Sequence, residues 1–225
     1  MGAWFRIAGV LGLPLLLAGC LLAPGKFTSK LTVNADRSFT YAYVGEVYAI
    51  DQDANLTDAS DKDDKTKAAE AAKKKADSEA KNRAIADALS KEAGYRSVRY
   101  MGEGRFLIDY QVSGRLDHAF IYPFNLDAQA IVPFVAVELR ANGTIRVKAP
   151  GFANDSKDQA GPMSGMGGGG DASAKMDGTF TLDTDAEIVS TNYEEGPQVA
   201  GGRKTLSWKV SPLTRDAPTA VLRLR

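Results

Sequence analysis

The chain has 225 residues, with 28 Lys and Arg against 28 Asp and Glu, one histidine and one cysteine. A formal net charge of zero removes the basic surplus that draws nucleic acid. A single cysteine excludes an intrachain disulfide, and one histidine beside one cysteine leaves zinc and thiol hydrolases without their usual groups.

The first predicted element is a secretory signal. Arg6 precedes an apolar run from Ile7 to Leu17. That run falls short of the roughly 20 apolar residues of a membrane span and fits the roughly 7–15 of a signal core. Ala18 and Gly19 then lead into Cys20. The sequence Leu17-Ala18-Gly19-Cys20 resembles the lipobox of bacterial lipoproteins. The resemblance implies that residues 1–19 are cleaved. It implies that the Cys20 thiol carries a diacylglycerol and that a further chain, of the palmitate kind, caps the new amine. Two or more acyl chains hold a protein stably on a bilayer, each buried methylene adding about 0.8 kcal/mol. The mature chain of 206 residues loses only Arg6 among its charges, and its net charge becomes −1. Leu21, not aspartate, follows the cysteine. In Gram-negative lipoproteins an aspartate there often retains the protein in the inner membrane, so the resemblance implies the periplasmic face of the outer membrane where the cell is Gram-negative.

Residues 20–26 read as a lipidated tether of about 20 Å reach. Residues 27–225 read as a single domain. Phe27 to Val33 and Phe39 to Ile50 are strand-like, and "NADRS" between them is a turn, which predicts a hairpin. Phe39, Tyr41 and Tyr43 share one face. An aspartate-rich stretch from Asp51 follows. A helix is then predicted over about 61–93, rich in Ala, Lys, Glu and Asp, with Gly94 as its cap. Its only large apolar residues are Ile85 and Leu89, so the last two turns are expected to dock and the first half to project. Tyr95 to Met101 and Arg105 to Val112 predict a second hairpin. Ile131 to Leu139 reads as a central strand, and Asn142-Gly143 turns it into Thr144 to Lys148. About 150–176 is glycine-rich and reads as a flexible loop. Strand texture resumes at Gly178 and continues to the end. The fold class is therefore α+β: a mostly antiparallel sheet of about 8–10 strands with one long helix.

The motifs that could carry chemistry fail on context. Gly165, Gly167 and Gly170 match a dinucleotide pattern, but no strand precedes them and no helix follows. Met163, Met166 and Met176 are thioethers without a His or Cys beside them. Asp51, Asp53 and Asn55 start like a calcium loop, but Leu56 stands where glycine is needed and Lys62 where a bidentate glutamate belongs. Asp117-His118 has no nucleophile pattern to complete it. No catalytic residue and no metal or cofactor site is predicted, and the expected role is not enzymatic. The aromatics Phe39, Tyr41, Tyr43, Phe106, Tyr110, Phe120, Tyr122, Phe124 and Phe134, with Ile108, read either as a core or as the lining of a cavity for a lipid or other apolar ligand.

The lipobox, the "LTVNADRSFTYAYVGEVY" hairpin and the long charged helix together resemble small envelope lipoproteins, including the LppM-type lipoprotein domain. The segments "DGTFTLDTDAEIVSTNYEEGP" and "KTLSWKVSPLTRDAPTAVLRL" are similar to proteobacterial envelope lipoproteins. The resemblance implies an α+β fold that binds lipid. It transfers no residue role beyond Cys20. The sequence therefore predicts a lipid-anchored envelope protein that binds a membrane component or an envelope partner. The rivals are a carboxylate-based hydrolase and a structural lipoprotein that docks a partner along its charged helix.

Overall fold

The computed structural model describes residues 21–50, 64–123, 133–154 and 174–224. In chain order the elements are β1 (Leu21–Val33), β2 (Ser38–Ile50), α1 (Asp64–Leu89), β3 (Tyr95–Tyr100), β4 (Arg105–Arg115), β5 (Phe120–Tyr122), β6 (Val135–Leu139) and β7 (Thr144–Lys148). A 3-10 turn at Pro150–Phe152 comes next. Then follow β8 (Asp177–Thr184), β9 (Glu187–Thr191), β10 (Gln198–Ala200), β11 (Arg203–Val210) and β12 (Thr219–Arg223).

The strands make two sheets, ordered β10-β11-β8-β1-β2-β4-β3 and β5-β6-β7-β12-β9. The fold is α+β and mostly antiparallel, as the strand pattern predicts. The exception is β1 with β8, which run parallel from Lys26↔Asp177 to Val33↔Thr184. Strands from both sides of the glycine-rich stretch thus share one sheet. Twelve strands form among the described residues. The surplus over the expected number comes from pieces such as β5 and β10, three residues each and too short to show alternation.

Alternation sets the core. Phe27, Leu31 and Val33 of β1 point inward with Phe39, Tyr41, Tyr43 and Val47 of β2 and Phe106 and Ile108 of β4. Phe180 and Leu182 of β8 and Leu206 of β11 extend that face. The second sheet answers with Tyr122, Val135, Val137, Ile145, Val147, Ala220 and Leu222. Each large side chain removed from water in this way contributes about 1.5–3 kcal/mol. The opposite face of the larger sheet carries exposed Thr28 and Lys30 and half-buried Thr40 and Thr181. Threonine suits a half-exposed strand. Its hydroxyls pair across strands, Thr40 with Ser113 at 2.8 Å and Thr181 with Ser207 at 3.2 Å.

Three sequence boundaries move. Residues 21–26, read above as a tether, are the first part of β1, with Leu21↔Ile50 and Pro24↔Val47 in register. Pro24 and Gly25 suggest a linker in sequence but serve a strand here. A Cβ on Gly25 would lie 2.5 Å from the Tyr48 ring, so the close approach requires glycine. The helix is shorter than 61–93. It ends at Leu89, where the Ser90 hydroxyl turns back to the Asp87 carbonyl at 2.8 Å, a bond that competes with continued helix. Gly94, with φ of 94°, turns the chain into β3 rather than capping the helix. Within 150–176, Phe152 is fully buried and Met176 nearly so, so the ends of that stretch are packed. Residues 155–173, with Gly165, Gly167, Gly170, Met163 and Met166, lie outside the described residues, as do Asp51, Asp53, Asn55 and Phe124.

Candidate functional site

The long β1/β2 hairpin gives the domain two ends. Cys20 lies outside the described residues, and the next residue, Leu21, is already part of β1. At this near end Leu21 pairs with Ile50 and the Ala49 N–H donates to the Gly104 carbonyl at 2.8 Å. The β3–β4 turn therefore sits beside the start of β1. Helix α1 docks on the same turn. The Glu103 N–H donates to Glu79 Oε1 at 2.9 Å, and Asn82 Nδ2 donates to the Tyr100 hydroxyl at 3.4 Å. The Glu103 N–H, followed by the Tyr100 hydroxyl, holds the Glu79 carboxyl below the usual carboxylate range.

Glu46 ties the near end together. Its carboxylate accepts from Arg105 Nη1 at 3.1 Å, from the Tyr48 hydroxyl at 3.2 Å and from the Lys26 N–H at 3.4 Å. Lys175 Nζ stands 4.4 Å from the Tyr48 ring centre, a cation–π contact. Burial, then the neighbouring Glu46 charge, raises the Tyr48 hydroxyl above its ordinary value.

The far end carries an open depression of about 570 Å³ lined by Asn34, Ala35, Asp36, Asp185 and Arg203. Asn34, Ala35 and Asp36 come from the β1–β2 turn and Asp185 from the β8–β9 corner. Arg203 opens β11. Arg203 donates through Nε to Asp183 Oδ1 and through Nη1 to Asn34 Oδ1 at 3.1 Å. Its Nη2 presses on the same Asp183 oxygen as an ion pair but is buried without a well-angled hydrogen bond. Asp185 Oδ1 accepts from the Ala35 N–H at 2.7 Å, and Lys30 Nζ lies 3.9 Å from Asp183. The Ser38 hydroxyl and N–H lower the Asp36 carboxyl from its ordinary value. The depression is lined by polar groups of both signs. The Asp36 carboxylate accepts from the Ser38 N–H and the Asp185 carboxylate from the Ala35 N–H.

The aromatic residues form the core. Phe27 stacks on Phe152 at 4.4 Å and Tyr110 meets Tyr122 at 4.5 Å between ring centres. Tyr43 lies 5.6 Å from Phe134, and Phe152 lies 5.6 Å from Phe180. These rings are neighbours in one buried cluster. Burial drives the Tyr41, Tyr43 and Tyr122 hydroxyls far above the usual phenol range, and raises Tyr95 and Tyr110 as well. His118 and Asp117 lie on an exposed turn, and Asp117 pairs with Arg115 at 3.5 Å rather than with the imidazole. Among the described residues there is no group of three or more His, Cys, Asp or Glu that could hold a metal, and no helix long and apolar enough to cross a membrane.

Sequence reasoning missed the Arg203–Asp183–Asn34 set. Its one sequence signal is the turn "NADRS", and the partners are 169 residues apart in the chain.

No family model matches the chain, and no curated protein matches it. Among solved structures, the chain is similar to the NMR structure of the folded domain of the Mycobacterium tuberculosis LppM protein. Identity is 14%, the match covers 90% of this chain and 91% of that one, and the TM-score is 0.33. A TM-score of that size transfers neither a fold nor a role.

Proposed function

We propose that this chain is an envelope lipoprotein, anchored through an acylated Cys20, whose folded domain presents a binding surface at the membrane without catalysing a reaction. One observation carries the reading: Leu17-Ala18-Gly19-Cys20 has the lipobox pattern, and Leu21, the residue after it, already belongs to β1. β1 has 13 residues and spans about 40 Å at 3.3 Å per residue. It connects the anchored end to the far depression at Asn34. That depression is the surface best placed to meet an envelope partner, and its polar lining suits a polar ligand or a protein loop rather than an acyl chain. With Leu21 after the cysteine, the outer membrane is the proposed destination in a Gram-negative cell.

The test is Cys20→Ser in the full chain, expressed with a clickable fatty acid. The wild-type chain is expected to take the label and to sediment with membranes. The variant is expected to do neither. A labelled variant would overturn the assignment. For the far surface, Arg203→Glu on the anchored protein is expected to reduce crosslinking to its envelope partner while leaving membrane attachment unchanged. Undiminished crosslinking would show that the depression is not the contact.

A further inference from the structure

The direction of α1 has a consequence for how such an anchored domain sits. Three contacts fix that direction. The chain leaves the helix at Leu89 and enters β3 at Tyr95. Further back along the helix, Asn82 meets Tyr100 at the other end of β3, and Glu79 meets Glu103 in the turn beyond it. The helix therefore runs alongside β3, and residues 64–78 continue past the turn. At 1.5 Å per residue this overhang is about 22 Å long. It leaves the domain at the end where β1 begins, because Gly104 of the same turn bonds Ala49 and Ala49 pairs with Leu22.

Residues 68–77 of the overhang are all exposed. The segment 64–78 carries five lysines and three acidic residues between its alanines. Such a helix cannot enter hydrocarbon, where each charge is costly. An acylated Cys20, one residue before Leu21, brings the start of β1 to the bilayer surface. An upright domain would then drive some 22 Å of charged helix into the membrane. The domain has to lean until the overhang rests on the headgroups.

We infer that the overhanging half of α1 is a membrane-contact element: it lies on the headgroup layer of the bilayer that holds Cys20, with Lys73 and Lys75 available to lipid phosphates, and sets the tilt of the sheet. The inference rests on the anchoring reading above. Geometry carries it rather than net charge, since the aspartate-rich stretch from Asp51 to Asp63 precedes the overhang. The occupant is the headgroup layer, and the far depression is held away from it.

The experiment uses the mature lipidated protein in vesicles of phosphatidylethanolamine and phosphatidylglycerol. With Cys20 acylated, an introduced cysteine is the only thiol in the chain. Ala72→Cys places a fluorophore on the overhang and Asp36→Cys places one at the far end, both at exposed sites. A nitroxide on the lipid headgroup is expected to quench the label at 72 at least threefold more than the label at 36. Equal quenching at the two positions, high or low, would overturn the inference. Flotation before labelling separates the two claims. A chain that does not float with vesicles contradicts the anchor, whereas a floating chain with an unquenched label at 72 contradicts the tilt alone.

Discussion

The sandwich and the overhang of α1 are both regular structure, but different physics holds each. In the sandwich the buried apolar side chains of β1, β2 and β8 belong to one cluster. The rings of Phe27, Phe134 and Phe180 all touch Phe152. In the overhang nothing is buried from Ala68 to Asp77, and the helix persists on alanine propensity and side-chain pairs. The sandwich needs its particular residues in order to fold. The overhang buries no side chain from Ala68 to Asp77, so its length is not explained by packing against the core.

Phe152→Ala is the strongest way to test that contrast. The side chain is fully buried among three rings, and its loss leaves a cavity that a packed core refills only in part. Destabilisation of about 3–5 kcal/mol is expected in chemical denaturation. A loss below about 1 kcal/mol would mean that the sandwich is not tightly packed around this ring. Alkali attacks the same core. The Tyr41, Tyr43 and Tyr122 hydroxyls have folded values raised by burial. A raised value means the stabilisation is complete below the unfolded phenol value near 10 and is lost as pH climbs toward the folded value. Absorbance at 295 nm should therefore show these tyrosines ionising together with unfolding above pH ~10, not one by one.

How much of this was legible in sequence follows the range of the interactions. The alternation Phe39, Tyr41, Tyr43 identified the buried face of β2, and Ile85 identified the docked end of α1, because both patterns are local. The parallel β1–β8 pair was not legible, since nothing near Lys26 announces Asp177. Leu21 to Lys26 was misread because Pro24 and Gly25 imitate a linker, whereas the glycine makes room for Tyr48 and Glu46. Phe152 was lost inside a glycine-rich stretch whose composition argues for exposure. The far depression depends on Arg203 and Asn34 meeting across most of the chain, and only coordinates bring them together.

A smaller effect is expected at that depression. Asp183→Ala removes the carboxylate that Arg203 holds through Nε and leaves a half-buried guanidinium with Asn34 alone. Loss of a charged hydrogen-bond partner at a partly solvated site is expected to cost about 1–3 kcal/mol. Asp183→Asn should recover part of it. Loss of the same size from Arg203→Ala, without additivity in the double variant, would show that the two act as one unit.

The smallest effect sharpens the comparison most, and it comes from the same substitution at two places in one helix. Ala86→Gly and Ala72→Gly each remove a methyl group and loosen the backbone by about 1 kcal/mol. Ala86 is buried where α1 meets the sheet, so its change is coupled to the sandwich and should lower the global denaturation midpoint. Ala72 is exposed in the overhang, where the helix can fray without uncovering any core. Its change should reduce ellipticity at 222 nm and speed amide exchange over residues 64–78, with the global midpoint unmoved. Acid should act on the border between the two halves. The folded value of Glu79 is lowered, so its bond to Glu103 is complete above the ordinary carboxylate value and is lost as pH falls through the folded one. Exchange in the overhang should therefore rise at low pH before the sandwich opens. If Ala72→Gly lowers the midpoint as much as Ala86→Gly does, the overhang is part of the cooperative fold and its length needs no contact outside the domain to explain it.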